Sequence, residues 1–431
     1  MLDIQVIRDN PDKVSKALAK RGLDIDFTDL LDLDQDRRKK LTHVEELKAK
    51  RNTLSDKVGE LKRNHEDADD LIAELKDISN EIVDLDAEVS KLQEKQDEFM
   101  DALPNMPDDD IKAGGKENNE VLEVFGEKTL FSSKAKSHIE LTKNLGLIDY
   151  ERGAKLSGTG YWVYTAEGSR LEWALLNYFI DAHIRDGYEF MLLPHILNAK
   201  SGYVAGQFPK FKEDVFWLDA PEGTKEENKK FLLPTAETAL VNLYRDEILS
   251  EDDLPKKFCA YTPCYRREAG AHGAEERGMI RGHQFNKVEM FQFVKPEDGE
   301  KAFKELVNKA SKLVGDLGLH YRISKLAAED TSASMARTYD IEVWIPGMDE
   351  YKEVSSVSLA REYQARRGNI RYRDKADGKT HYVYTLNGSG LATSRLFPAI
   401  LEQYQQEDGS VKVPAVLVKY LGGKRYIGKD Q

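Results

Sequence analysis

Residues 262–293 read TPCYRREAGAHGAEERGMIRGHQFNKVEMFQF and are the most informative stretch of the chain. Two runs of strand character flank a charged, Gly/Ala-rich loop at 269–279. Alternate residues of a strand share a face. Arg266 and Glu268 therefore share one face of the first run, and Arg281, His283, Phe285, Lys287 and Glu289 share one face of the second. An antiparallel hairpin apposes the two rows. The result is a surface of cations, carboxylates and one aromatic ring, which suits a nucleotide and a zwitterion. An exposed hairpin laced by cross-strand ion pairs has the same pattern, and period alone does not separate the two.

Three further segments offer chemistry. In Leu233-Pro234-Thr235-Ala236-Glu237-Thr238 a strand end runs into a helix, presenting a hydroxyl and a carboxylate. Thr235 reads equally well as a helix N-cap. Glu350-Tyr351-Lys352-Glu353-Val354-Ser355-Ser356-Val357-Ser358 places a carboxylate and hydroxyls on a strand-like run. Oxygen ligands of this kind suit Mg²⁺ held between protein and phosphates, and an edge strand with a Ser-rich solvent face is the plainer reading. Asn387-Gly388-Ser389-Gly390-Leu391-Ala392-Thr393-Ser394-Arg395 reads as strand, Gly-rich turn and helix. Glycines admit a ligand close to backbone, and a helix N-terminus favours anions. A cap by Asn387 or Ser389 is the alternative. A fourth segment, Gly206-Gln207-Phe208-Pro209-Lys210-Phe211, says only loop. No Cys/His cluster has zinc-ligand spacing, so no zinc is expected. Cys259 and Cys264, five apart on one predicted strand, point to opposite faces and are not expected to pair.

These segments need elements to carry them. Leu71, Leu75, Ile78, Ile82, Leu85, Val89 and Leu92 alternate by four and three, the seam of a coiled coil. Val44, Leu47, Leu54, Val58 and Leu61 form a second seam, with Arg51 in its missing position. A polar stretch at 64–70 lies between them, so the two predict an antiparallel helical hairpin with helices of about 30 residues, reaching roughly 45 Å. Residues 36–63 hold ten Lys/Arg against five Asp/Glu, whereas 64–101 hold three against fourteen. The first helix could face a phosphate backbone, or the opposite charges could simply pair the helices. Pro104, Pro107 and Gly114-Gly115 predict a linker over 104–125. Beyond it, helical signals at 169–186, 235–250, 300–317 and 391–405 mix with strand signals at 189–194, 231–234, 340–345, 351–358 and 381–386. This predicts an α+β domain over 126–431, built on an antiparallel sheet flanked by helices. With 431 residues, a net charge of −13 and no apolar run of membrane-spanning length, the chain reads as a cytoplasmic protein with no membrane partner and no unspecific affinity for nucleic acid. The N-terminus MLDIQVIRDNPDK is polar where a signal peptide needs an apolar core, so no secretion is expected.

Taken in order, these motifs make the whole chain resemble the bacterial-type seryl-tRNA synthetases, of class II. The hairpin is similar to motif 2, with Arg-x-Glu and His-Gln-Phe-x-Lys-Val-Glu-Met. Residues 385–405 resemble motif 3, with Arg395 its arginine. Residues 170–194 resemble motif 1, with Pro194 its proline, and in the family that motif builds a homodimer. The resemblance implies a tRNA-binding domain at 1–103 with its arm at about 30–101, then a class II catalytic domain. It implies a serine–tRNA ligase: L-serine and ATP give seryl-adenylate and pyrophosphate, and the seryl group passes to tRNA(Ser), with tRNA(Sec) a further candidate acceptor. The arm would bind the tRNA, and the 269–279 loop would meet its acceptor end.

Roles follow by the same resemblance. Arg266 would bridge the α-phosphate and the serine carboxylate. Glu268 would contact the adenine edge, Phe285 would stack on adenine with Arg395 on its other side, and Arg281 would meet phosphate. Arg267, Gly282, Val354 and Ser355 would complete the ATP site, while Glu353 and Ser356 would hold Mg²⁺. Thr235, Ala236, Glu237, Glu289, Asn387 and Ser389 would take serine with Arg266. The chain departs from the pattern at Val357-Ser358-Leu359, where Cys-Ser-Asn is usual, and at Thr393-Ser394, where Val-Gly is usual. An aliphatic residue often stands at the place of Gly282, and Ala205 precedes Gly206-Gln207 in place of Thr. A divergent paralogue that activates a small amino acid for another acceptor, or a non-catalytic tRNA-binding homologue, are the alternatives. The arm speaks against the first, and the retained Arg266, Glu268, Glu289, Glu353 and Arg395 against the second.

Overall fold

The computed structural model describes residues 1–132, 134–267 and 278–428. Glu268 and most of the 269–279 loop lie outside the described residues. The chain divides into two compact units, one of residues 2–19 and 23–103, the other of residues 104–431 with 20–22 and Met1.

The first unit is dominated by α1 (Thr28–Arg63) and α2 (Asp69–Ala102), of 36 and 34 residues. Each is longer than the seams alone predict, and at 1.5 Å per residue each spans roughly 50 Å. Leu47, Leu54, Ile78 and Ile82 form the buried seam, with Leu71, Leu75 and Leu85 packed against it. Lys40–Glu88, Lys48–Asp86 and Lys50–Glu74 pair across the helices at 2.8, 3.0 and 2.7 Å. Part of the charge asymmetry is therefore spent inside the hairpin. Exposed pairs of this kind contribute little stability, so the seam carries most of it. At the base of α1, Asp34 is fully buried and accepts two bonds from Arg8 and one from Arg38, with Arg37 at 3.3 Å. Burial pushes the Asp34 carboxyl up, but these arginines outweigh it and hold it below its ordinary value. Arg37 also donates to Gln96 of α2 at 2.9 Å, tying the helices together.

In the second unit the order is β1 (Glu120–Phe125), α3 (Tyr150–Ser157), α4 (Ala166–Arg185), β2 (Glu189–Met191), β3 (Lys256–Tyr265), β4 (Gln284–Val294), α5 (Gly299–Asp316), β5 (Tyr321–Lys325), β6 (Arg337–Ile345), β7 (Glu350–Arg361), β8 (Tyr384–Ala392) and α6 (Thr393–Gln403), with short elements between. Among the described residues the main sheet has eight strands, ordered β1-β5-β6-β7-β8-β4-β3-β2. Its pairs are antiparallel except β2 with β3. The 104–125 linker is corrected here. Pro104 and Pro107 do follow the end of α2, but residues 120–125 form the edge strand β1, paired with β5. Val121, Val124 and Phe125 supply the β-forming side chains that the proline and glycine signals outweighed. Helices α4, α5 and α6 bury Phe179, Phe303 and Phe397 in one core with Met290, Val357 and Leu386 of the sheet. The functional cleft lies against the central strands.

Candidate active site

The predicted hairpin forms from β3 and β4, with Thr262 opposite Lys287 and Ala260 opposite Glu289. Regular strand ends at Tyr265 and resumes at Gln284, so Arg266, Arg281 and His283 sit beyond it. This splits the predicted row. Arg281, Phe285 and Lys287 do line one cavity with Arg266. His283 instead lies beside its Nδ1 partner, the Arg266 carbonyl, at 2.9 Å, and stacks on Tyr161. Arg267 is exposed at the hairpin end.

The cavity has two lobes that share Arg266, Arg281, Lys287, Glu353 and Ser389. The smaller, of about 130 Å³, is walled by Ile280, Gly282, Phe285, Ala392 and Arg395. The larger, of about 460 Å³, is walled by Thr235, Glu237, Asn387, Ser356 and Ser358, and by Gln207 and Phe211 of the segment that read only as loop. The Arg266 guanidinium lies 5.2 Å from the centre of the Phe285 ring. Arg395, two residues into α6, donates to the Glu353 carboxylate at 2.8 Å and to the Ile280 carbonyl at 3.1 Å. It ties β7 and the 280 segment together on the floor of the small lobe.

Glu353 and Ser356 face the same cavity although they are three apart, a spacing that strict alternation forbids. The cause is a bulge: Ile341 pairs with Ser355 and Glu342 with Glu353, leaving Val354 unpaired. Val354 turns into the core, and buried Ser355 donates to the Ser389 carbonyl at 2.6 Å. Neither side chain therefore lines the cleft, which leaves only their backbone for the contact with ATP that the resemblance implies. Ser356 donates to Asp340, its cross-strand partner, at 2.5 Å. Burial, and after it the charge of Glu353, push Asp340 well above its ordinary value. Burial also works to raise Glu353, but Arg395 and Arg266 outweigh it and the carboxyl is lowered. Asp340 escaped the sequence reading. The alternation Tyr339-Asp340-Ile341-Glu342-Val343 holds the signal, but only the register brings it opposite Ser356.

At the other lobe, Asn387 donates through one nitrogen to Glu289 and Glu237, both at 3.2 Å. Its Oδ1 is buried without a partner. Gln364 donates to Glu237 at 2.7 Å. Lys287 is buried and bonds Glu289 at 2.5 Å and the Thr235 hydroxyl at 2.7 Å, while Thr235 donates to Glu289 at 3.3 Å. Burial first, and then the Glu289 charge, push the Glu237 carboxyl up to about 7. Thr235 caps no helix: the single turn there starts at Glu237, has Ala236 at its N-cap and takes no side-chain cap bond. Ala236 is fully buried and offers only backbone. The Gly-rich segment is likewise not a turn. Strand β8 runs through Asn387, Gly388, Ser389 and Gly390 to Ala392, with Ser389 directly opposite Glu289. A Cβ at Gly390 would stand 2.2 Å from His183 Nε2, so the glycine admits α4 against mid-strand.

Such a site combines a cationic lobe with an aromatic wall and a second lobe walled by a carboxylate, hydroxyls and an amide. Residues 1–107 match the seryl-tRNA synthetase N-terminal domain, and 216–404 match the class II tRNA synthetase core domain of the G, H, P, S and T type. A curated relative from Clostridium acetobutylicum, serine–tRNA ligase 2, is 59% identical over 98% of this chain and 99% of its own length. The chain belongs to the seryl-tRNA synthetases. Another member, the serine–tRNA ligase of Geobacillus kaustophilus, is 45% identical over 99% of this chain and all of its own. The seryl-tRNA synthetase of Pyrococcus horikoshii, solved in complex with ATP, superposes with a TM-score of 0.91 at 33% identity, covering 100% of both chains. In this synthetase the arm is α1 and α2, and the class II sheet carries the cleft.

Proposed function

We propose that this chain activates L-serine with ATP and transfers the seryl group to the 3′ end of tRNA(Ser), with the small lobe as the nucleotide end and the large lobe as the serine end. One observation carries the reading: Arg266 lines both lobes, so a single guanidinium can meet a phosphate and a carboxylate. The nucleophile, serine's carboxylate, is already an anion. It attacks the α-phosphorus and pyrophosphate leaves, so the step needs no general base. Catalysis then rests on positioning and charge neutralisation. Arg266 and Arg281 neutralise phosphate charge, and Phe285 offers its face to adenine. Glu268, outside the described residues, is assigned the adenine edge by resemblance alone.

At the serine end, Glu289 and Glu237 receive the ammonium. Asn387 Oδ1, a buried acceptor lacking a donor, supports a polar substrate group beside it. A pocket built to bond a hydroxyl leaves its own groups unpaired when that hydroxyl is missing, and rejects such analogues by about 10⁴-fold. Glu353, Ser356 and Asp340 offer oxygen donors only, with two carboxylates side by side, and this set fits Mg²⁺. When bound with ATP, the ion would neutralise phosphate charge there.

We read the chain as a homodimer in the cytoplasm. Helix α4 exposes Trp173 and Ile184, and the segment after it exposes Leu192 and Ile196, an apolar set that a partner would cover. Both cysteines are free and buried, which suits a reducing compartment. No described helix is long and apolar enough to cross a membrane. The basic face left on α1 supports tRNA backbone recognition by the arm. The test is charging of purified tRNA(Ser) beside a tRNA(Ser) shortened in its variable arm. Serylation of the first alone is the expected result, and equal charging of both would refute arm-based selection.

A further inference from the structure

Gly282 stands in the wall of the small lobe between Arg281 and the strand that carries Phe285. A Cβ at this position would lie 2.2 Å from Trp162 Cζ3 and 2.4 Å from its Cη2. No real Cβ is tolerated so close to a rigid ring. The indole of Trp162 therefore occupies the volume that a side chain at 282 would fill.

Trp162 is held there from behind. A Cβ at Gly153 of α3 would come within 2.4 Å of Trp162 Cα and 2.6 Å of the Tyr161 carbonyl, so this helix presses its bare backbone on the Tyr161–Trp162 peptide. From the front, the His283 N–H donates to the Gly160 carbonyl at 3.1 Å, and the His283 ring stacks on Tyr161 with centroids 5.1 Å apart. His283 and Arg266 exchange backbone bonding too, the Arg266 N–H donating to the His283 carbonyl at 2.8 Å. The edge of Trp162 packs on Tyr164, whose ring meets Phe397 of α6. The 160–164 segment is thus wedged between α3, α6 and the return strand, with its indole pressed on the one wall residue that has no side chain.

We propose that Trp162 and Gly282 act as one unit that shapes the nucleotide end of the cleft, making Trp162 a specificity-determining residue for ATP although it lies in a segment remote from the hairpin in sequence. The inference rests on the assignment of the small lobe to the nucleotide. It accounts for the glycine at 282: the indole of Trp162 backs the wall at that point, and a side chain at 282 and an indole at 162 exclude each other.

The test uses the full chain with Gly282→Val, Trp162→Ala and the double variant, alongside the milder Gly282→Ala and Trp162→Leu should a single change impair folding. KM for ATP and for serine are measured separately by serine-dependent pyrophosphate exchange. ATP is also titrated without serine, following intrinsic fluorescence in wild type and Trp162→Phe. Gly282→Val is expected to raise the ATP KM by tenfold or more with the serine KM within twofold. Trp162→Ala should raise the ATP KM several-fold, and the double variant should return to within about threefold of wild type. ATP should change the wild-type fluorescence, and most of that change should vanish in Trp162→Phe. Defects that multiply in the double variant, or that move both KM values together, would overturn the pairing. A wild type that binds ATP through Trp162 yet shows no serine-dependent exchange would fault the assignment of serine and leave the wall intact.

Discussion

Two carboxylates, Glu237 and Glu289, both accept from one amide nitrogen, that of Asn387, and Lys287 and Arg266 stand near to offset them. Burial and the neighbouring charge push Glu237 up to about 7. An ammonium favours the ionised carboxylate, so serine binding is strongest above that value and releases a proton below it. The serine KM should rise as pH falls from 8 to 6, with the ATP KM less affected; a serine KM flat across that range would contradict it. Lys287 belongs to the same network, and Lys287→Ala should leave Glu289 buried without its cation, lowering kcat/KM for serine by about 10²-fold or more. Initial-rate kinetics check it, with thermal unfolding measured alongside to separate lost binding from lost fold. Residue types were legible at this scale: Arg266, Thr235, Asn387 and Arg395 line the cleft, and Glu289 lies buried behind Thr235 and Asn387. Partners were not. Thr235 read as well for a cap as for a ligand, and only the fold sets its hydroxyl between Lys287 and Glu289.

Elements explain what the alternation of side chains misses. Sequence period places Glu353 and Ser355 on one face, but the bulge at Val354 shifts the phase and brings Ser356 to Glu353. Nothing in Glu-Val-Ser-Ser announces a bulge, because it arises from pairing with β6. Gly388 and Gly390 read as turn formers, whereas here they let β8 pass close to Val357 and His183. Helices were easier to read, since α1 and α2 carry their own four-three seam. Their length beyond the seam comes from polar anchors such as Asp34 under Arg8, Arg37 and Arg38, which no period reports. Removing that carboxylate takes the shared acceptor from Arg8, Arg37 and Arg38, which are half-buried to exposed. Asp34→Ala should cost the N-terminal unit about 1–2 kcal/mol, measured by urea unfolding at pH 7. Because the Asp34 value is lowered in the folded state, its contribution is present at neutral pH and lost only in acid, as pH falls through that lowered value.

For the whole molecule, the chain forms two compact units, one holding the helical hairpin and the other the cleft. The division is not the predicted one in detail, since residues 120–125 belong to the sheet. Deleting 30–100 should leave serine activation within a few-fold and abolish serylation of tRNA(Ser); a parallel loss of both would refute the separation. The central claim, that one guanidinium joins a nucleotide lobe to a serine lobe, is tested most directly by pyrophosphate exchange into ATP with serine, alanine, threonine and glycine, in wild type and Arg266→Ala. The account predicts exchange with serine, about 10⁴-fold less with alanine, and a loss of about 10²–10³-fold or more in the variant. Equal exchange with alanine, or full activity without Arg266, would contradict it.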